Sequence, residues 1–436
     1  MGANFSFRIG GVVLHSTDGG VASAVMMLFN ESEKVARRDG KAIPVDALLA
    51  EGRTDDCDDY YLAYEAKVSV VRDRLEVLGH SLARARADFE RELREWCDEH
   101  DGELIERHLD NEDAHEKAAL VSERATIASM TFDEWREALG AYLGEPDWRR
   151  RPSSHRLGPI LAGTERLSGD WFLGFPGSGE VVELGVVRAA LDCFADDDVV
   201  AEDLTSGFTH EWETVEMALA DEPSAHRIIV LTEGSSDAEI ISESLRVMFP
   251  HLVPYFSFMD FAAARPTGGA GSLVQLVKAF TAARISNRVV ALFDNDTAAR
   301  EALQGLKDIT LCESMRVIAC PPLDLARNYP SLGPTGLQSL DVNGLAASIE
   351  MYFGEDVLRR DDGTLTPVQW RGYNEKLKSY QGELLEKERL MRKFRAKLAS
   401  APSPQVVLNA PEWQPMRLLL RQIISSFGSP SDQEGA

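Results

Sequence analysis

Ile228-Ile229-Val230-Leu231-Thr232-Glu233-Gly234-Ser235-Ser236-Asp237 and Val289-Val290-Ala291-Leu292-Phe293-Asp294-Asn295-Asp296 are two apolar runs that end abruptly in carboxylates. A short apolar run bounded by Gly or charge reads as a strand buried on both faces of a parallel sheet. Ligands of open α/β sheets bind at the carboxyl ends of the strands, where both acidic clusters would stand. If the second strand continues through them, Asp294 and Asp296 share one face. Carboxylates held this close repel one another unless a cation joins them. An oxygen-only donor set of this kind suits Mg2+ or Mn2+. The plainer alternative is a capping Asp237 and an Asp-Asn-Asp turn.

The intervening sequence predicts alternating elements. Helices are expected at 238–248, 273–283 and 298–306, and strands at 253–259 and 315–319. Strands alternating with helices indicate a parallel sheet. The turn Pro266-Thr267-Gly268-Gly269-Ala270-Gly271-Ser272 could aim backbone N–H groups at a phosphate. It lacks the Gly-Lys-Ser/Thr ending of a P-loop, so no ATP site is read there.

Leu-Thr-Glu-Gly-Ser-Ser-Asp and Phe-Asp-Asn-Asp resemble the Toprim domain of topoisomerases, bacterial primases and the overcoming-lysogenization-defect nucleases, the last branch above all. The resemblance spans residues 223–358. It implies a Rossmann-like, mostly parallel sheet flanked by helices. It also implies Glu233, Asp294 and Asp296 as catalytic metal ligands, with Asp237 as a further ligand. That branch carries another acidic residue on a later helix, and Glu350 in Ser348-Ile349-Glu350-Met351-Tyr352-Phe353 fits its place. The implied activity is Mg2+- or Mn2+-dependent hydrolysis of phosphodiester bonds in DNA or RNA. Lys376, Lys378 and Lys387 are candidates for an assisting cation, with Lys387 placed among the catalytic residues. No tyrosine stands out as a topoisomerase nucleophile, and no zinc module of a primase is present.

The opening also resembles a known module. Phe7-Arg8-Ile9-Gly10-Gly11, Met27-Leu28-Phe29 and Glu31-Ser32-Glu33-Lys34 are similar to the N-terminal domain of HEPN/Toprim-associated proteins. Residues 181–213 are compatible with the same architecture. This implies a bacterial anti-phage context, with a partner protein or a homo-oligomer possible. HEPN ribonucleases pair an Arg with a His on one helix, and Arg74 with His80 and Arg94 with His100 have that spacing. In the resembled architecture a Toprim domain replaces the HEPN domain, so these pairs are expected to be incidental.

The chain's 436 residues are 44% hydrophobic and carry a net charge of −25, so two or three globular domains are expected. That charge argues against a passive nucleic-acid coat. Residues 359–397 reverse it locally, with eleven basic and six acidic side chains. Arg389, Arg392, Lys393, Arg395 and Lys397 are the expected nucleic-acid contacts. Cys57, Cys97, Cys193, Cys312 and Cys320 form no Cys-x-x-Cys, so neither zinc nor a disulfide framework is indicated. No apolar run or leader pattern points to a membrane, and the cytoplasm is the expected compartment.

The expected layout has four parts. Residues 1–145 form an α-rich N-terminal domain opening in a hairpin around Gly10-Gly11, with helices at 21–36, 60–97 and 131–143. Residues 146–222 connect it to the Toprim domain at 223–358. Residues 359–436 form a basic helical segment with a frayed tail. The alternatives to a nuclease are a non-catalytic Toprim sensing module and a structural subunit of a defence complex.

Overall fold

A computed structural model describes residues 4–18, 23–51, 60–100, 114–145, 155–178, 182–205, 227–259 and 268–428. Two compact units emerge, 1–222 with 428–436, and 223–427. Among the described residues no helix is long and apolar enough to cross a membrane.

The first unit is built on six antiparallel strands: β1 (Asn4–Ile9), β2 (Val12–Asp18), β3 (Lys34–Arg38), β4 (Lys41–Ile43), β5 (Tyr60–Lys67) and β6 (Val199–Asp203). Their order is β2-β1-β6-β5-β3-β4. Helices Val68–Leu78, Leu82–Glu99, Ala114–Ala128, Phe132–Gly144 and Leu184–Leu191 complete the unit. The predicted hairpin is present, turning on Gly10 and Gly11, both at positive φ. Thr131 caps the helix Phe132–Gly144 by accepting from the Glu134 N–H.

Three expectations for this unit are corrected. The helix expected at 21–36 is one turn, Ser23–Met26, followed by a 3-10 turn and β3. The long helix expected from residue 60 begins only at Val68; residues 60–67 are β5, whose Leu62, Ala63, Tyr64 and Ala66 are buried. An apolar run entering a charged helix carries little period of its own, and tertiary pairing decides it. The third concerns 146–222, expected to connect domains. Its Val199–Asp203 is a central strand, paired with β1 and β5. Residues 146–154, 179–181 and 206–226 lie outside the described residues.

Glu202 of β6 is 3% exposed, and its Oε2 has no hydrogen-bond partner among the described residues. Burial lifts its carboxyl to about 8; Asp203 adds to the rise and Arg8 opposes it. A carboxyl raised in the folded state stabilises the fold below its unfolded value of 4.5, and that contribution fades as pH climbs through about 8. A tenfold change in proton affinity corresponds to roughly 1.4 kcal/mol. Glu202→Gln is therefore expected to match wild type near pH 4 and to exceed it by a few kcal/mol at pH 9. Urea unfolding at the two pH values checks this, and a gap that does not widen with pH refutes it.

The second unit holds the parallel sheet. Its strands are β7 (Ile228–Leu231), β8 (Phe256–Phe258), β9 (Val289–Phe293) and β11 (Met315–Ala319), in the order β11-β9-β7-β8, every pair parallel. All five residues of β9 are buried. The helix Ala270–Ala283 lays Leu273, Val274 and Val277 against Val289, Ala291 and Phe293. The helix Ser235–Met248 buries Ile240, Ile241, Leu245 and Met248. Fully burying each such aliphatic side chain contributes about 1.5–3 kcal/mol.

Between β9 and β11 lies β10 (Asn295–Asp296), which pairs with β14 (Ala346–Ala347). A second sheet contains β12 (Tyr329–Gly333), β13 (Gly336–Leu340), β15 (Val368–Asn374) and β16 (Ser379–Leu384) in the order β13-β12-β15-β16. The segment expected to be helical from 359 onward thus starts as a hairpin. Its helices are Lys387–Ala399, Pro404–Asn409 and Gln414–Ile424. Residues 359–427 also belong to the same compact unit as 223–358 rather than trailing from it.

Candidate functional site

Glu233 and Asp294 leave the ends of β7 and β9 side by side. The Asp294 N–H donates to Glu233 Oε1 at 2.9 Å, which pins one carboxylate oxygen. Thr232 is buried and its hydroxyl donates to the Gly234 carbonyl, turning the chain sharply into the helix Ser235–Met248. Asp237 sits in the first turn of that helix. Glu350 arrives from the 3-10 turn Ile349–Phe353, is 6% exposed, and is hydrogen-bonded to the Ser348 hydroxyl. Lys387, the first residue of its helix, places Nζ 3.2 Å from Glu350 Oε1.

Glu233, Asp237, Asp294, Glu350 and Lys387 line one cleft of about 520 Å³, which Met391, Arg392 and Arg395 also border. Lys387, Met391 and Arg395 recur at four-residue spacing, so one helix face lines the cleft. Leu390, Phe394 and Leu398 form the buried face of the same helix.

The electrostatics follow from crowding in a dry place. Burial raises Glu233 to about 7, with Asp296 and Asp237 adding repulsion against the pull of the Asp294 N–H. Burial and then Glu350 raise Asp237 to about 6, opposed by Lys387. Asp294 is pushed well above the usual carboxylate range by burial, then by Glu233, Asp237, Asp296 and Glu350. Burial works against the Lys387 ammonium, but Glu350, Asp294 and Asp237 outweigh it and hold the proton on.

Asp296 is placed differently from the sequence expectation. The strand does not continue through it: β9 ends at Phe293 and β10 turns to pair with β14. Asp296 caps the helix Thr297–Leu303, accepting from the Ala299 N–H at 2.7 Å. Its carboxyl is still raised by burial, against the hydrogen bonds of Ala299 and Ala298 and the charge of Lys387. Asp296 does not line the cleft as Asp294 does.

The five basic candidates separate. Arg392 and Arg395 reach the cleft, Arg395 also pairing with Glu239 at 2.7 Å. Arg389 is held by Glu386 and Thr366. Lys393 donates to the carbonyls of Asp356 and Arg359. Lys397 is enclosed by the Phe353 carbonyl, Asp356, the Glu412 carbonyl and the Trp413 ring. Lys376 pairs with Glu301.

Sequence reasoning missed Ser348 and Cys320. Cys320 is buried behind the carboxylates; burial first, then Asp294, Asp237 and Glu233, push its thiol well up. No spacing in the sequence announces either residue. Three residues of the two Arg–His pairs have described contacts. Arg74 is fully buried and bound to both oxygens of Glu33 and to the Leu28 carbonyl. His100 stacks on Trp96 while Arg94 bonds the Glu90 carbonyl.

The donor set at the cleft is oxygen-only, and its raised carboxyls are what a divalent cation would relieve. In the present side-chain positions no three described His, Cys, Asp or Glu residues converge in metal-holding geometry.

Residues 1–176 match the family model described as HEPN/Toprim N-terminal domain 1. That span is less than half of the chain, and it supports the HEPN/Toprim-associated architecture read from the opening motifs. The residues of the cleft lie outside the match. No curated protein and no solved structure matches the chain significantly.

Proposed function

We propose that residues 223–427 form a Toprim-type, metal-dependent nuclease of the overcoming-lysogenization-defect kind. It hydrolyses phosphodiester bonds of DNA or RNA in a bacterial anti-phage setting in the cytoplasm, alone, as a homo-oligomer or with a partner protein. The observation that carries this reading is the convergence of Glu233, Asp237, Asp294, Glu350 and Lys387 on one cleft at the carboxyl ends of parallel strands. Glu233, Asp237, Asp294 and Glu350 are the residues that would hold Mg2+ or Mn2+, with Asp296 behind them. The ion would supply Lewis acidity and neutralise charge on the reacting phosphate.

The chain's own residues have separate tasks. Glu233, one oxygen pinned by the Asp294 N–H and its carboxyl near 7, is suited to exchange a proton close to neutral pH. Lys387 offers an ammonium for charge that develops on a phosphate oxygen. Arg392, which has no ion-pair partner among the described residues, and Arg395 grip flanking phosphates. Digestion of plasmid, single-stranded DNA and tRNA with Mg2+, Mn2+ or chelator tests the proposal. Metal-dependent cleavage of any of them supports it, and none with either metal sinks it.

Removing a cation that neutralises one phosphate flattens the logarithmic salt dependence of binding by about 0.7–0.9. Arg392→Gln is expected to weaken affinity similarly for all sequences and flatten that slope by roughly one. Lys397→Gln removes an equal charge from an enclosed position and is expected to leave the slope alone. Binding titrations across salt concentrations compare the two.

A second reading has two observations in its favour: Lys387 already serves as counter-ion to Glu350, and no three described His, Cys, Asp or Glu residues stand in metal-holding geometry. It is a non-catalytic Toprim module that senses a nucleotide or a partner, or a structural subunit of a defence complex. Metal binding without cleavage would favour it.

A further inference from the structure

The hairpin β15–β16 contributes nothing to the lining of the carboxylate cleft, yet its side chains are unusual. Tyr373 is 54% and Tyr380 59% exposed, and among the described residues they are the two exposed aromatics. They touch each other, with ring centroids 5.2 Å apart and steeply inclined, and Trp370 approaches Tyr380 at 5.9 Å. Residues three apart on a regular strand face opposite ways. Here Trp370 pairs with Gly382 and Gly372 with Gln381, so Arg371 is an extra residue, a bulge. The bulge resets the alternation and brings Trp370 and Tyr373 to the side of Tyr380. A Cβ at Gly382 would collide with Val368 and crowd Trp370 and Ala346, so glycine makes room for the close approach of these side chains.

The shelf is braced against the strand that leads to the cleft. The Thr297 hydroxyl donates to the Tyr380 carbonyl at 2.6 Å. Asn374 and Lys376 both bond Glu301 on the helix that Asp296 caps. Gly382 lies against Ala346, the residue paired with Asp296. The exposed rings thus stand on a support tied to the segment that follows Asp294, and flat apolar faces would complement them.

We infer that the Trp370–Tyr373–Tyr380 shelf binds unpaired bases, making single-stranded nucleic acid the substrate form presented to the cleft. The inference rests on the nuclease reading above. Charge favours single strands over duplex. Arg371 is neutralised by Glu383 and Lys376 by Glu301, leaving Lys378 at the turn with no ion-pair partner among the described residues. One cation gives little grip on a duplex backbone in a chain of net charge −25. Stacking is indifferent to that charge and tolerates any base, but a duplex hides its base faces.

The test uses the full chain in chelator, with labelled oligo(dT), oligo(rU) and a closed duplex followed by anisotropy. Wild type is expected to prefer the single strands. Tyr373→Ala with Tyr380→Ala should weaken single-strand affinity by roughly ten- to hundredfold. The same pair changed to Phe should restore it, and duplex affinity should not move. Both tyrosines are exposed, so melting temperatures should stay together. Unchanged single-strand affinity in the Ala pair overturns the inference and assigns the shelf to a protein partner. An equal loss on duplex also overturns it. Hydrolysis of bis(p-nitrophenyl) phosphate, too small to reach the shelf, reports on the carboxylate cleft separately. Hydrolysis with tyrosine-independent binding removes the shelf alone. Tyrosine-dependent binding without hydrolysis upholds the shelf and removes the nuclease reading.

Discussion

Glu233→Gln is expected to reduce phosphodiester cleavage by ~100-fold or more while the protein stays folded. Glutamine keeps the shape and can still accept the Asp294 N–H through its carbonyl oxygen, so the turn after β7 survives. What disappears is a negative charge and a titrating group. Burial places the Glu233 carboxyl at about 7, where it can change protonation close to neutral pH. Circular dichroism and melting curves establish that the fold persists, and single-turnover cleavage gives the loss. His100→Ala is the matched control, because among the described residues that ring stacks on Trp96 and bonds its carbonyl. Arg74→Ala is not a usable control. It would strand Glu33 beside a buried gap, and breaking such a pair costs about 3–5 kcal/mol. Cleavage that survives Glu233→Gln and dies with His100→Ala would move the active centre to the other unit.

The second large effect concerns the metal. Millimolar Mg2+ or Mn2+ is expected to raise the melting temperature, by mass action on the folded state. At a hundred times Kd the gain is about 2.7 kcal/mol. Asp294→Asn should abolish the gain. It should also make the metal-free protein more stable than wild type, since Asp294 is buried among Glu233, Asp237, Asp296 and Glu350. The pH dependence has a definite sign. Glu233 and Asp237 are raised in the folded state, from 4.5 to about 7 and from 3.8 to about 6. Their contribution to metal-free stability is therefore fullest at acid pH and declines as pH rises through about 6 and 7. Metal affinity runs the other way, because protons compete for the same oxygens. Calorimetric titration on the acid and alkaline sides of that range should find tighter binding on the alkaline side. Identical melting curves with and without metal, in wild type and Asp294→Asn alike, would remove the metal from the proposal.

Legibility differed sharply between the two units. The parallel sheet was readable because a strand buried on both faces must be continuously apolar, and Ile228–Leu231 and Val289–Phe293 are. The strand at 315–319 was also bounded correctly, although it is an edge strand that carries Arg316 and buries only Met315 fully. The antiparallel sheet of the first unit was read mostly as helix or connection. Val199–Asp203 shows why: its Glu202 and Asp203 look like loop residues, yet the strand lies between β1 and β5. Nothing local announces a partner more than a hundred residues away. The hairpin β15–β16 was missed because Trp370-Arg371-Gly372-Tyr373 breaks the two-residue alternation at its bulge.

At the candidate site, the sequence by itself marked Glu233 and Asp294 as carboxylates following two apolar strands, while Asp237 entered only through the Toprim resemblance. The tertiary structure decided the rest. It gave Asp296 to a helix cap, because β10 left the parallel sheet to pair with β14. It drew Glu350 and Lys387 together from points 37 residues apart. It also chose Arg392 and Arg395 over Arg389, Lys393 and Lys397 by the rotation of one helix on Leu390, Phe394 and Leu398. The physical reason is range. Burial patterns and strand ends are local consequences of side-chain chemistry, whereas which charges meet depends on how packed elements turn, and a few buried apolar residues set that turn.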